Sequence, residues 1–387
     1  MADGHVLITG GAGFIGSHLA RHLLAAGYRV RVLDSLVEQV HPGGERPAYL
    51  DSEAELLVGD VRDRAAVDGA LDGVDAVVHL AARVGVGQSM YEIAEYASGN
   101  TQGTGVLLEA LIDRPVRKLL VASSVSVYGE GLYVGEDGRR FEPCARTREQ
   151  LERGEWEPAG PGGEPLQPVP TPESKSPSLP SFYALGKFDQ ERMCLLFGSA
   201  YGVPAVALRL FNVYGRHQAL SNPYTGVLAL FGARLLNDSP ALIFEDGGQL
   251  RDFVHVSDVA RAFRLALEGD GADGSAVNVA SGRRVTVYEL AERLARAVGR
   301  ERIEPRVTGQ YRVGDIRHCF ADIALARDAL GFEPGVALEE GLEDLAAWLE
   351  GQAVTDRADH AAHELARRGL TLGVGPGDRS GAGRACP

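Results

Sequence analysis

Along the first 215 residues, short apolar runs alternate with stretches in which leucines recur every three or four positions, the pattern of strands alternating with amphipathic helices. The run Val6-Leu7-Ile8-Thr9 ends in Gly10-Gly11-Ala12-Gly13-Phe14-Ile15-Gly16, after which Leu19, Leu23 and Leu24 keep helical spacing. Tyr28 to Leu33 ending at Asp34, Leu56 to Asp60, Ala76 to Leu80, Lys118 to Ser124 and Ala205 to Phe211 read as further strands, and a long helix is predicted around Tyr183 to Ala200. Strands joined through helices pair in parallel and need cover on both faces, so the pattern predicts an α/β fold with a Rossmann-type, doubly wound parallel sheet over residues 1–215.

The regular pattern breaks twice. From about Glu130 to Ser181 the chain carries nine prolines, many glycines and little periodicity, which predicts a long inserted loop. After Gly215 the elements become shorter and mixed: a helix over 226–236, a strand from Arg251 to Val256, a helix from Asp258 to Leu267 capped by Ser257, and a strand from Val277 to Ala280. Thr286 and Glu289 then form a capping box for a helix running to about Val298. Residues 216–352 are therefore expected to form a smaller mixed α/β lobe that shares some segments with the first domain, and residues 353–387 a helix and a tail whose Gly, Pro, Ser and Ala beyond Leu370 predict disorder.

Composition narrows the partners. With 39 Lys+Arg against 53 Asp+Glu the net charge is −14, which argues against a nucleic acid or an anionic membrane surface as partner. Met1-Ala2-Asp3-Gly4-His5 lacks the basic start of a secretion signal, no apolar run reaches membrane-spanning length, and the four cysteines (Cys144, Cys194, Cys319, Cys386) are far apart, so a cytoplasmic protein without disulfides is expected.

The candidate chemistry lies at strand ends. Gly10-x-x-Gly13-x-x-Gly16 stands between a strand and a helix, where glycines allow a tight turn and let backbone N–H groups approach a pyrophosphate at the positive end of the helix dipole. Asp34, at the end of the second strand, suits the ribose hydroxyls of NAD and repels the 2′-phosphate of NADP. Tyr183 and Lys187 are i and i+4 on one helix, a spacing at which the ammonium lowers the phenol pKa towards neutrality for proton exchange with a hydroxyl. Ser124 closes the fifth strand, at the carboxyl edge where open parallel sheets bind ligands.

These motifs, together with Asp60-Val61, His79-Leu80-Ala81-Ala82, Asn100 with Gly103-Thr104, Ser124 four before Tyr128, Arg209-x-Phe211-Asn212-Val213-Tyr214-Gly215 and Arg251-Asp252-Phe253-Val254-His255-Val256, resemble the extended short-chain dehydrogenase/reductase family, and within it the NAD-dependent nucleotide-sugar epimerases and dehydratases. The resemblance spans about residues 5–350. It implies NAD as cofactor, held by Gly10, Gly13, Phe14, Ile15, Gly16, Asp34, Asp60, Val61, Leu80, Ala81, Ala82, Asn100, Phe211 and Val213, with Tyr183 and Lys187 also in contact. It implies Tyr183 as acid/base, Lys187 on the nicotinamide ribose, and Ser124 on the sugar oxygen, with Ser126, Asn212, Gln218, Asn222, Arg251, Arg312 and Asp315 around a sugar nucleotide. Asn212, Arg251 and Arg312 are the residues it assigns to the diphosphate, and it implies a homodimer formed through two helices of the first domain.

Among the family's reactions, dehydration needs the Thr-Asp-Glu that is here Ser124-Val125-Ser126, and Asp34 disfavours the exchangeable NADP of reductases. That leaves 4-epimerisation, with a 4-keto-sugar reductase as the alternative and a catalytically idle NAD-binding scaffold disfavoured by the Tyr183/Lys187 pair. The stretch from Asn212 to Gly226, with Gly314-Asp315-Ile316-Arg317-His318-Cys319, is most similar to the dTDP-L-rhamnose 4-epimerase branch. Relatives there resemble a cysteine-paired knuckle within the insert, whereas here Gly135-Glu136-Asp137-Gly138 and Ala159-Gly160-Pro161-Gly162 occupy those places, so no metal is expected.

Overall fold

The computed structural model describes residues 4–143, 145–220, 222, 226–312, 314–352 and 358–373, the side chains of 358–362 excepted. Of the segments noted above, Cys144, Ser221, Pro223, Tyr224, Thr225, Cys386 and the tail from residue 374 lie outside this set.

Seven strands and five helices position the site: β1 His5–Thr9, α1 Phe14–Ala25, β2 Arg29–Asp34, β3 Glu55–Val58, β4 Ala76–His79, α2 Gly103–Asp113, β5 Lys118–Ser124, α3 Phe182–Tyr201, β6 Ala205–Leu210, α4 Val227–Leu236, α5 Val256–Glu268 and β7 Ala276–Val279. The sheet is parallel throughout, in the order β7-β6-β5-β4-β1-β2-β3. Strand order reverses between β1 and β4, which pair with Thr9 opposite His79, so a crevice opens beyond the carboxyl ends of these two strands.

The period of two in the strands explains the two cores. Val6 and Ile8 pack on one face with Leu19 and Leu23 of α1 and Phe263 of α5. Leu7 points to the other face, with Leu107 and Leu111 of α2 and Cys194 and Phe197 of α3. A third core joins Leu228 and Phe231 of α4 to Leu290, Leu294 and Leu345 in the smaller lobe.

Three details differ from the sequence reading. The insert is not a bare loop: Leu132–Val134 pairs antiparallel with Arg140–Phe141 and Gln167–Val169, and Arg148–Glu152 is helical. Buried charges hold it, with Glu130 and Arg146 of the insert meeting Glu245 and Arg317 of the lobe, all four side chains at most 3% exposed. Such contacts leave no hydrophobic period to read. The segments beyond residue 215 that the lobe shares with the first domain are α5 and β7, which complete the central sheet and its cover. Helix α5 begins at Val256 and is capped by His255, whose ring accepts from the Ser257 N–H, so Ser257 lies inside the helix. Finally, Thr371–Gly373 is a strand antiparallel to Gln310–Arg312, because pairing with a partner strand supplies the hydrogen bonds that composition alone does not foresee.

Candidate active site

A cleft of about 420 Å³ runs along the carboxyl edge of the sheet. Its floor at the β1–β4 crevice is shaped by glycine. Gly10 has φ of 69°, and a Cβ there would lie 2.7 Å from the Ala81 nitrogen; a Cβ on Gly16 would lie 2.5 Å from the Gly11 Cα. Only glycine lets the turn, α1 and the end of β4 approach this closely. Gly13 has room, its virtual Cβ meeting only the Gly10 carbonyl at 3.4 Å, and as N-cap of α1 it leaves the first turn without a side-chain cap. An uncapped helix N-terminus beside a glycine cradle suits a dinucleotide pyrophosphate. Next to it, Asp34 accepts from the Ala12 and Leu36 N–H groups at 3.0 and 2.9 Å, which fixes its carboxylate at the cleft wall. Asp60 and Val61 line the far end, where the Arg62 guanidinium, hydrogen-bonded to Asp60, holds that carboxyl below its usual pKa.

At the other end, Ser124 closes β5 and α3 brings Tyr183 and Lys187 alongside, since Ser181 caps that helix through the Ala184 N–H at 3.1 Å. Ser124 and Tyr183 both line the cleft, and the Ser124 hydroxyl accepts from the Ser126 hydroxyl at 2.8 Å and the Ser126 N–H at 3.2 Å. The expected lowering of the phenol pKa by Lys187 is not what the structure gives. Burial raises the Tyr183 pKa, and the neighbouring Ser124 hydroxyl is what opposes it. The Lys187 ammonium is itself pushed down to about 8 by burial, and it donates to Gln190 Oε1 at 2.8 Å on the next turn of α3.

Most of the anticipated residues do line one cleft. Gly10, Gly13, Phe14, Ile15, Gly16, Asp34, Asp60, Val61, Leu80, Ala81, Ala82, Ser124, Tyr183, Lys187, Phe211, Asn212, Val213, Gln218 and Asn222 all face it. Asn212 Nδ2 donates to the Asp252 carbonyl at 2.8 Å. The Gln218 amide donates to the Val213 carbonyl at 3.3 Å, and its buried oxygen has no hydrogen-bond partner among the described residues.

Five residues are not brought to that wall. Asn100 is fully buried, its amide pinning the Arg83 N–H at 2.7 Å and the Arg83 carbonyl at 3.1 Å, so it shapes the loop after Ala82 from behind. Arg251 donates to the carbonyls of Leu250, Ile316 and Arg317 at 2.6–2.9 Å, which occupies its guanidinium as a loop clamp. Arg312 pairs with Asp315 at 2.9 Å and stacks over Phe244, so these two charges satisfy each other. Ser126 sits behind Ser124. In place of the arginines, the cleft receives Gly226, Val227 and Leu228, the start of α4, where again no side chain caps the helix.

Sequence reasoning also passed over His217, which lines the cleft with a left-handed φ of 69° and stacks on Tyr49 at 4.7 Å, and over the 35–41 segment that forms one wall. Neither belongs to a periodic stretch, so no local signal marks them.

Residues 6–152 and 157–280 match the NAD dependent epimerase/dehydratase family. The chain belongs to that family. It is 36% identical over 356 residues to the dTDP-L-rhamnose 4-epimerase of Burkholderia thailandensis, a match covering 90% of this chain and 96% of the relative. Among solved structures it is similar to the UDP-glucose 4-epimerase of Thermotoga maritima with UDP-glucose, at 32% identity and TM-score 0.74 over 89% of this chain and 98% of that one. The Thermus thermophilus UDP-glucose 4-epimerase complex with NAD matches at 30% identity and TM-score 0.73, over 90% and 100%. Membership makes the protein an NAD-dependent enzyme of nucleotide-sugar chemistry, and the glycine cradle with its uncapped helix fits that cofactor. No described helix is long and apolar enough to cross a membrane.

Proposed function

We propose that the protein is an NAD-dependent nucleotide-sugar 4-epimerase that inverts C4 of a nucleoside-diphosphate (6-deoxy)hexose such as dTDP-L-rhamnose. The observation that carries this reading is the meeting of Ser124, Tyr183 and Lys187 at one end of a cleft whose other end is the glycine cradle. In its phenolate form Tyr183 takes the C4 hydroxyl proton, and the Ser124 hydroxyl donates to the oxygen as it becomes a carbonyl. NAD, when bound, accepts the C4 hydrogen with its electron pair and gives it back. The 4-keto sugar turns about its diphosphate linkage between the two transfers, and Tyr183 then returns the proton. Turning needs a fixed diphosphate and a loosely held sugar. The N–H groups at the start of α4, with Asn212, Gln218 and Asn222 nearby, are suited to the first requirement.

Ser124-Val125-Ser126 offers no carboxylic acid for eliminating water, which favours epimerisation over dehydration. A 4-keto-sugar reductase is the second reading, and Asp34 at the cleft wall weighs against its exchangeable NADP. The 4-epimerase reading includes a cytoplasmic homodimer, which sedimentation at twice 41.2 kDa would support. The deciding experiment incubates the purified protein with dTDP-, UDP- and GDP-sugars and follows C4 by NMR: inversion without net NADH production is expected, and no inversion with any of them rejects the reading. Tyr183→Phe should abolish turnover while NAD stays bound; near-wild-type activity would remove Tyr183 from its role.

A further inference from the structure

Lysine is rare in this chain. Of the 39 basic residues only Lys118, Lys175 and Lys187 are lysines, and each is less than 5% exposed. Lys118 pairs with Asp273 and donates to the Gly269 carbonyl at 2.7 Å, and Lys175 donates to the carbonyls of Tyr128 and Ser176 at 2.6 and 2.9 Å. Lys187 differs in that its acceptor is a side-chain amide, Gln190 Oε1 at 2.8 Å.

The rest of Gln190 is tied to the cofactor side of the cleft. Its Nε2 donates to the Ala81 carbonyl at 3.1 Å and to Thr104 Oγ1 at 3.0 Å. The Ala81 carbonyl needs a donor, so the amide can be oriented only one way, with its oxygen towards Lys187. A buried hydrogen-bonded chain continues from Thr104. The Thr104 hydroxyl donates to the Asn100 carbonyl at 2.6 Å; His79 Nε2 lies 2.9 Å from Thr104 Oγ1 and 3.0 Å from Gln190 Nε2, and His79 Nδ1 is hydrogen-bonded to the Thr9 hydroxyl at 2.7 Å. Thr9 ends β1, one residue before Gly10, and Ala81 lies against Gly10 across the crevice. Thus one buried amide links the Lys187 ammonium to both strand ends that cradle the dinucleotide.

We infer that Gln190 is a positioning residue for Lys187: it fixes the ammonium against the cofactor cradle and sustains its charge in a buried site. The inference rests on the 4-epimerase reading for the task of Lys187, and it adds a residue to that site. The other groups facing Lys187 do not replace Gln190. Burial favours the neutral forms of Tyr183 and Cys194 on α3; His79 on β4 is held neutral, with its pKa pushed down to about 3; and Glu191 is spoken for by Arg209 of β6, at 2.6 Å. Removing the Gln190 oxygen withdraws the one hydrogen bond shown for the charged form and favours loss of its proton.

Three lysines make the test direct. With lysine labelled by 13C at the ε-carbon, the protein should show three signals, and Lys187 is assigned by its absence from Lys187→Met. The wild-type midpoint is expected at about 8. Gln190→Leu should move it down by roughly one pH unit or more, the scale of a hydrogen bond to a charged group. Gln190→Glu keeps the length and sets a carboxylate beside the ammonium, so it should move the midpoint up, and it carries the test alone if the leucine variant does not fold. The alkaline limb of kcat should move with the midpoint while KM holds. A Lys187 midpoint unchanged in the folded variants overturns the inference. The titration needs no sugar, so its outcome is independent of whether the wild-type enzyme inverts C4, on which the functional reading stands or falls.

Discussion

The pair Arg209–Glu191 joins the two elements that carry the reacting side chains, and its removal has a calculable cost. Glu191 lies one turn after Lys187 on α3, and Arg209 lies in β6, two residues before Phe211 in the cleft. Their side chains are 1% and 7% exposed, and the contact is two-pronged, at 2.6 and 2.9 Å. The carboxylate also accepts from the Ser123 hydroxyl at 2.6 Å, next to Ser124, and Arg209 donates to the Tyr128 hydroxyl at 2.9 Å. Removing one partner, as in Glu191→Leu or Arg209→Met, leaves the other charge buried alone and should cost about 3–5 kcal/mol. The double variant leaves no lone charge. Tyr128 keeps its Asn278 acceptor at 2.7 Å, and the Ser123 hydroxyl and the Glu173 carbonyl are left to repartner, at about 1–3 kcal/mol each. Urea titrations of the four proteins at pH 7 measure the coupling. Expected is a double variant no worse than either single one. Singles costing under about 1 kcal/mol, or a double equal to their sum, would refute the reasoning. Because Ser123 and Lys187 flank this pair, kcat should fall in each single variant even where the protein remains folded.

Three more outcomes follow from the geometry. Gly16→Ala puts a Cβ against backbone and should lose bound NAD and several degrees of melting temperature, whereas Gly13→Ala, with φ of −70° and open space, should melt close to wild type; equal melting of the two contradicts the cradle. Burial pushes His79 down to about 3 and His18 down to about 4, so folding favours their neutral forms: this contribution is complete above the unfolded pKa of 6.5 and is lost as pH falls towards 3. Imidazole carbon shifts that show His79 still protonated at pH 7 in the folded protein would reverse that sign. Arg251→Met should lower the denaturation midpoint and change KM little, since the guanidinium binds three carbonyls; a tenfold or larger rise in KM with unchanged stability would instead place it on the diphosphate.

What the sequence alone determined was whatever backbone sterics and short periods dictate. The β-branched and leucine runs foretold the strands of the parallel sheet within a residue or two, and Thr286–Glu289 foretold its helix start. The glycine spacing identified the cradle because no other residue tolerates the approach of Gly10 to Ala81. Tertiary structure decided which charges were spent. Arg251, Arg312 and Asn100 look equally available as letters, yet carbonyls, a carboxylate and a loop backbone occupy them. The insert likewise hid its order, since Arg146 pairs with Glu245 and Glu130 accepts from the Arg317 backbone N–H, partners more than ninety residues away in the chain. Hydrophobic period and glycine sterics act between near neighbours and can be read along a chain; the partner of a polar group is set by what the folded sheet and lobe bring beside it, and for Lys187 that is Gln190 with the ends of β1 and β4 behind it.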